Sequence, residues 1–329
     1  MGNDGTVVVA FSYDTEMAFN RELPEHVVSA QNYAILPLAE KQTLWADYIR
    51  EGIWSDTNHR QRSIAELGMI RALGPHFEAC GGAMTSFVLG QWLDYIVEEL
   101  GQQEVRNFYN CSAIDVQSHS YNHLTFGGPQ DAVRSRTSPN LALEEVSGQL
   151  RRANGAIERH LGVRPWGLRT PMGNTAPFGA GQEPILQALR ENGIKFVSSW
   201  LKKAPRELNS PAMVQPFPYT SPGSPDLWEI PGVGKYDVHF MPPSKLLVFG
   251  EEGTDTPAVM LAHYIGVLEE ALRAVARTEK TVYVPFVMHP WATVLYDPEL
   301  KMHAELLRFC VRHGVLLRSY AQVYAMLAS

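Results

Sequence analysis

Short apolar runs of β character recur along the whole chain, and stretches with helical periodicity fill the gaps between them. The runs fall at Thr6–Tyr13, Ala83–Leu89, Ala113–Gln117, Gly167–Arg169, Lys195–Ser199, Leu227–Ile230, Thr281–Met288 and Val315–Arg318. Several are almost continuously apolar, which is the pattern of parallel strands covered on both faces. The clearest helix is expected over about 140–161, where Val146, Leu150, Ala153, Ile157 and Leu161 recur three or four residues apart. Gly162 follows as a C-cap. Further helices are expected at Pro257–Arg277 and Pro298–Arg312, the latter closed by Gly314.

Strand–helix alternation repeated seven or eight times points to an α/β fold, a distorted (β/α)7–8 barrel rather than an open sheet. Residues 1–329 read as a single domain, without internal repeats or a linker. Two segments stand outside the alternation. Residues 17–82 are too long for one connection and read as an insertion that covers the active end. Residues 203–226 are rich in Pro and Ser and read as irregular.

Composition removes several classes of function. A formal charge of −7 and the lack of any Lys/Arg-rich run argue against nucleic acid as a partner. No apolar stretch reaches the ~18 residues that cross a bilayer, so no membrane role is expected. Cys80, Cys111 and Cys310 are too few and too scattered for a disulfide framework or a CxxC zinc site. The amino-terminal MGNDGTVVVAFSYD has no basic segment followed by a long apolar one, so a cytoplasmic location is expected. Composition leaves the oligomeric state open, a homo-oligomer included.

In such barrels chemistry collects at the carboxyl ends of the strands, and polar residues do cluster there. FSYDTEM places Asp14 and Glu16 on one side of the first strand's end. Alone, they read as two solvated acids. DVQSHSYNH ends in His119 and His123, whose spacing of four puts both imidazoles on one side of a helical turn. Alone, these two are unrelated polar histidines. Joined by a carboxylate from another strand, they become a plausible site for Zn²⁺ or Fe²⁺. LRTPMGN carries Arg169 at a strand end, suited to holding a carboxylate or to pairing within the fold. VPFVMHPW sets His289 directly after a strongly apolar strand, where an isolated histidine is more often structural.

Taken in order, FSYDTEM, AMTSFVLG, DVQSHSYNH, GLRTPMG and VMHPW resemble the polysaccharide deacetylase superfamily, the fold of family-four carbohydrate esterases and nodulation-type deacetylases. The resemblance runs from about residue 6 to 325. Its most specific parts are the H-[ST]-x-x-H and R-x-P-x-G motifs, while IKFVSSW and HGVLLRSYAQV resemble the fifth strand and the closing strand and helix. One departure concerns the first motif, commonly two adjacent aspartates. Here Thr15 separates Asp14 from Glu16, in the style of cytoplasmic relatives that resemble peptidoglycan deacetylases.

The resemblance implies a metal-dependent hydrolase that removes an N-acyl group, acetyl first, from an amino sugar or a related small substrate. It makes Glu16, His119 and His123 the metal ligands, with zinc the first expectation and cobalt, nickel or iron the alternatives. It makes Asp14 the base, Arg169 its orienting partner and His289 the acid. Two other readings stay open: a cyclic imide or ureide hydrolase on the same fold, and a non-catalytic carbohydrate-binding protein. In LWEIPGVGKYD, Trp228 and Tyr236 offer either an aromatic wall for a sugar or core packing.

Overall fold

A computed structural model describes residues 5–16, 36–37, 39–41, 43–44, 59–127, 141–204, 207–220, 223–242 and 244–329. Seven parallel strands form its centre. They are β1 (Val7–Thr15), β2 (Met84–Val88), β3 (Ile114–Ser118), β4 (Gly167–Asn174), β5 (Phe196–Trp200), β9 (Ser224–Glu229) and β10 (Val282–Met288), in the order β10-β1-β2-β3-β4-β5-β9. The strand β11 (Leu316–Leu317) pairs with the start of β1, on which Val8 faces Leu316 and Val9 faces Leu317. Farther along β1, Ser12–Thr15 pair with Thr85–Val88.

The sheet curls into a distorted barrel whose seam lies between β10 and the segments that flank β9. There the ladder is replaced by single bonds. The Val233 N–H donates to the Pro285 carbonyl at 3.0 Å. The Gln215 side chain accepts from the Tyr283 N–H at 2.9 Å and donates to the Tyr283 carbonyl at 3.2 Å. One amide side chain thus stands in for a missing strand neighbour.

Alternation along β1 separates two packing environments. Val7, Val9, Phe11 and Tyr13 face the surrounding helices, whereas Val8 and Ala10 join Phe87, Phe196, Ile230, Tyr320 and Val323 inside the barrel. Tyr320 and Val323 come from the final helix, Tyr320–Ala328, which plugs the floor and starts from a Ser319–Gln322 capping box. The expected helices are present as Leu143–Leu161, ended by left-handed Gly162, Pro257–Thr278 and Lys301–Arg312. None of the helices among the described residues is long and apolar enough to cross a membrane.

Both of the odd segments contain regular structure among the described residues. Within 17–82, His59–Ala79 is the ordinary helix between β1 and β2, burying Leu67, Ile70, Leu73 and Phe77 in the main core. Its apolar stripe was obscured by the aromatic and polar run before it, and the remainder of that insertion lies largely outside the described residues. Residues 203–226 carry short strands between the irregular stretches expected there. They contribute an antiparallel pair, β6 (Lys202–Ala204) with β7 (Glu207–Leu208), and β8 (Phe217–Tyr219), which runs antiparallel to β9. The organising group is Glu229, wholly buried. Its carboxylate accepts from the Ser199 and Trp200 N–H groups, the Ser199 hydroxyl and the Tyr219 hydroxyl at 2.6–2.9 Å.

Candidate metal centre

Polar residues continue the inward face of β1 past Ala10 as Ser12, Asp14 and Glu16, all buried. The Glu16 Oε2 atom is 3.1 Å from His119 Nε2 and 2.6 Å from His123 Nε2. These three ligand atoms lie within 4.8 Å of one another. Burial opposes ionisation of Glu16, but the two imidazoles outweigh it and hold its carboxyl well below the usual range.

The histidines do not sit on a helical turn. β3 ends at Ser118, and the chain then bends through Ser120 and His123, both left-handed, with φ of 68° and 61°. The bend is held against the start of the helix Gly90–Leu100, whose Gly90 and Gln91 N–H groups donate to the Ser120 and Tyr121 carbonyls at 2.9 and 2.8 Å. Tertiary contact, not helical periodicity, brings both rings to one carboxylate. The Nδ1 of His119 lies 3.0 Å from the Arg169 carbonyl. As a donor to that oxygen it leaves Nε2 with its lone pair free, the tautomer a metal ligand needs. One carboxylate and two imidazoles so arranged fit a divalent ion of the zinc or iron type.

Arg169 is wholly buried, and its hydrogen bonds go to Ser12 Oγ at 2.7 Å and the Tyr320 hydroxyl at 2.9 Å. Its NH1 stands 3.9 Å from Asp14 Oδ2, an ionic separation rather than a hydrogen bond. It therefore acts on Asp14 through charge, while Ser12 and Tyr320 orient the guanidinium. His289 sits directly after β10, with Nε2 3.8 Å from Glu16 Oε1. Asp14, Glu16, Arg169, His119, His123 and His289 are thus gathered at one end of the barrel.

Two residues of the site escaped the sequence reading. Asp237, wholly buried, accepts from His289 Nδ1 at 2.7 Å and from the His289 N–H at 2.6 Å. Burial disfavours the imidazolium, yet Asp237 overcomes it, and His289 is pushed up to about 9. Asp237 ends LWEIPGVGKYD, the stretch whose two aromatic residues drew attention, and no spacing links it to His289. Trp228 packs on the barrel-floor cluster, and Tyr236 is buried with its hydroxyl bonded to the Leu201 carbonyl, so both serve packing. The second residue is Glu66, wholly buried, whose Oε1 accepts from the Glu16 N–H at 3.0 Å. A signal existed for it: Ser63, Glu66, Leu67, Ile70, Leu73 and Phe77 form one stripe, with an acid on the buried face.

The polysaccharide deacetylase family model matches residues 72–197, which hold β2 to β4 and the start of β5 with the His119–His123 and Arg169 motifs. Over nearly its whole length the chain is similar in fold to several solved structures. A Mycobacterium smegmatis structure described as a polysaccharide deacetylase superposes with a TM-score of 0.60 at 18% identity, covering 98% of this chain and 90% of the other. One from Pseudomonas aeruginosa PAO1, described likewise, gives 0.61 at 12% identity, with 99% and 92% covered. Puue allantoinase gives 0.54 at 12% identity, with 98% and 90% covered. No curated protein matches the chain significantly.

Proposed function

We propose that this chain is a metal-dependent amide hydrolase that removes an N-acyl group, acetyl first, from an amino sugar or related small substrate. One observation carries the chemistry. A buried carboxylate and a carboxylate-bound imidazole, Asp14 and His289, flank the three-donor group of Glu16, His119 and His123. The amino-sugar substrate is supported by the family model that matches residues 72–197.

Glu16, His119 and His123 would hold the ion, which when bound supplies Lewis-acid polarisation of a carbonyl and makes water more acidic. Asp14, beside the Arg169 charge, accepts the proton that the attacking water gives up. Between Arg169 and Asn174 the pairing of β4 with β5 shifts register, and Met172 turns left-handed with φ of 61°. A main-chain N–H of this segment is the donor we assign to the carbonyl oxygen as that oxygen gains charge. Asp237 favours the charged imidazole and holds the Nδ1 proton, so that the other proton leaves from Nε2. That proton goes to the amine nitrogen as the C–N bond breaks, without which the poor leaving group would not depart.

Elemental analysis of the purified protein, followed by a screen of N-acetyl, N-formyl and cyclic amides, tests the proposal. The expected result is one bound divalent ion and release of acylate from an N-acyl amino sugar. His119→Ala should lose ion and activity together. Ring opening of a cyclic amide that survives chelation would replace this reading with an imide or ureide hydrolase. Saccharide binding without hydrolysis under any metal would make the chain a binding protein.

A further inference from the structure

Glu66 is the buried acid in contact with the site that the proposed chemistry leaves without a role. It sits on the inward stripe of His59–Ala79, between Ser63 and Ile70, and is fully shielded from solvent. Placing a carboxyl among apolar side chains is unfavourable unless something is gained by it. Its Oε2 is buried without a hydrogen-bond partner, and its Oε1 accepts from the Glu16 main chain at 3.0 Å.

The place of that contact in the fold is informative. The ladder between β1 and β2 ends at Thr15 opposite Val88, so Glu16 is the first residue beyond it. The Thr15 carbonyl is still held, by the Leu89 N–H at 3.0 Å. The Glu16 N–H has no strand neighbour to receive it, and Glu66 supplies the acceptor in place of one. The main chain of a residue one step past a ladder is otherwise free to turn about φ and ψ. A turn of that kind would swing the Glu16 carboxylate away from His119 and His123.

We propose that Glu66 is a positioning residue for the metal centre: through Oε1 it locks the backbone of Glu16, so that this carboxylate meets both imidazoles. The proposal rests on the metal reading above. It also accounts for how a glutamate, with one more rotatable bond than aspartate, is held on the two histidines. Partners that orient ligands in this way are worth about 10–100-fold in metal affinity.

The test is titration of the metal-free protein with Co²⁺ against a chromophoric chelator, with the visible Co²⁺ spectrum and thermal stability recorded alongside. Wild type, Glu66→Gln and Glu66→Leu are compared. Glutamine keeps the acceptor and should bind within about twofold of wild type, whereas leucine should lose about 10–100-fold and alter the spectrum. A folded leucine variant with wild-type affinity and spectrum would overturn the proposal, even if its thermal stability changed. If the leucine variant does not fold, Glu66→Met, of similar length and without an acceptor oxygen, takes its place: a tenfold loss in a folded protein supports the role, and wild-type affinity overturns it. Wild-type protein that binds no Co²⁺ would remove the metal reading and the role of Glu66 with it.

Discussion

His289 and Asp237 show how a buried carboxylate sets the charge of a neighbouring histidine. The imidazole is buried, which favours its neutral form, but the wholly buried carboxylate at 2.7 Å reverses the balance and raises it to about 9. A group with a raised value keeps its proton through neutral pH and loses it as pH climbs through that value. Activity that needs the proton should therefore fall on the alkaline side. Asp237→Asn keeps the shape and removes the charge. It should lower kcat by about 10²-fold, the scale of general acid catalysis, and move the alkaline limb to lower pH. A variant with an unmoved limb would show that His289 does not supply the proton. Arg169 illustrates the opposite lesson. Its motif marks it in sequence, but only its contacts with Ser12 and Tyr320 show that it bears on Asp14 by charge alone.

Among the elements, the strands were the most legible, because a strand covered on both faces must be almost wholly apolar. Val282–Met288 and Val7–Thr15 could not be hidden in such a chain. The bend after β3 was illegible, since the left-handed turns at Ser120 and His123 exist only because the chain crosses the helix Gly90–Leu100. The seam was equally hidden, being a gap in pairing filled by one side chain. Gln215→Ala would leave the Tyr283 N–H and carbonyl half-buried without their partner. It should cost about 1–2 kcal/mol of stability, judged by the net worth of such bonds, and urea denaturation would show it as a lower midpoint with unchanged slope. An unchanged midpoint would mean that water serves Tyr283 as well as Gln215 does.

For the molecule as a whole, the candidate metal centre joins regions far apart in sequence. Glu16 and His119 are 103 residues apart, and His123 lies on the bend that rests against another helix. An ion bound only by the folded arrangement must stabilise it by mass action. At a free concentration a hundredfold above its dissociation constant the gain is about 2.7 kcal/mol. Thermal unfolding of the chelated protein should accordingly begin at a lower temperature, and Zn²⁺ or Co²⁺ should restore it. The same melting temperature with and without the ion would speak against a site built from these three residues.

The amino-acid order alone determined the alternation of strands and helices, and with it the α/β barrel, because periodicity of burial is written directly in apolar spacing. It also marked Asp14, Glu16, His119, His123, Arg169 and His289 as polar residues at strand ends. Only tertiary structure decided which of them touch. Asp237 reaches His289 across 52 residues and Glu66 reaches Glu16 across 50, and no local pattern records either pairing. Both are buried carboxylates whose partners are set by how helices and loops close over the barrel. That closure is a property of the packed molecule, not of any one segment.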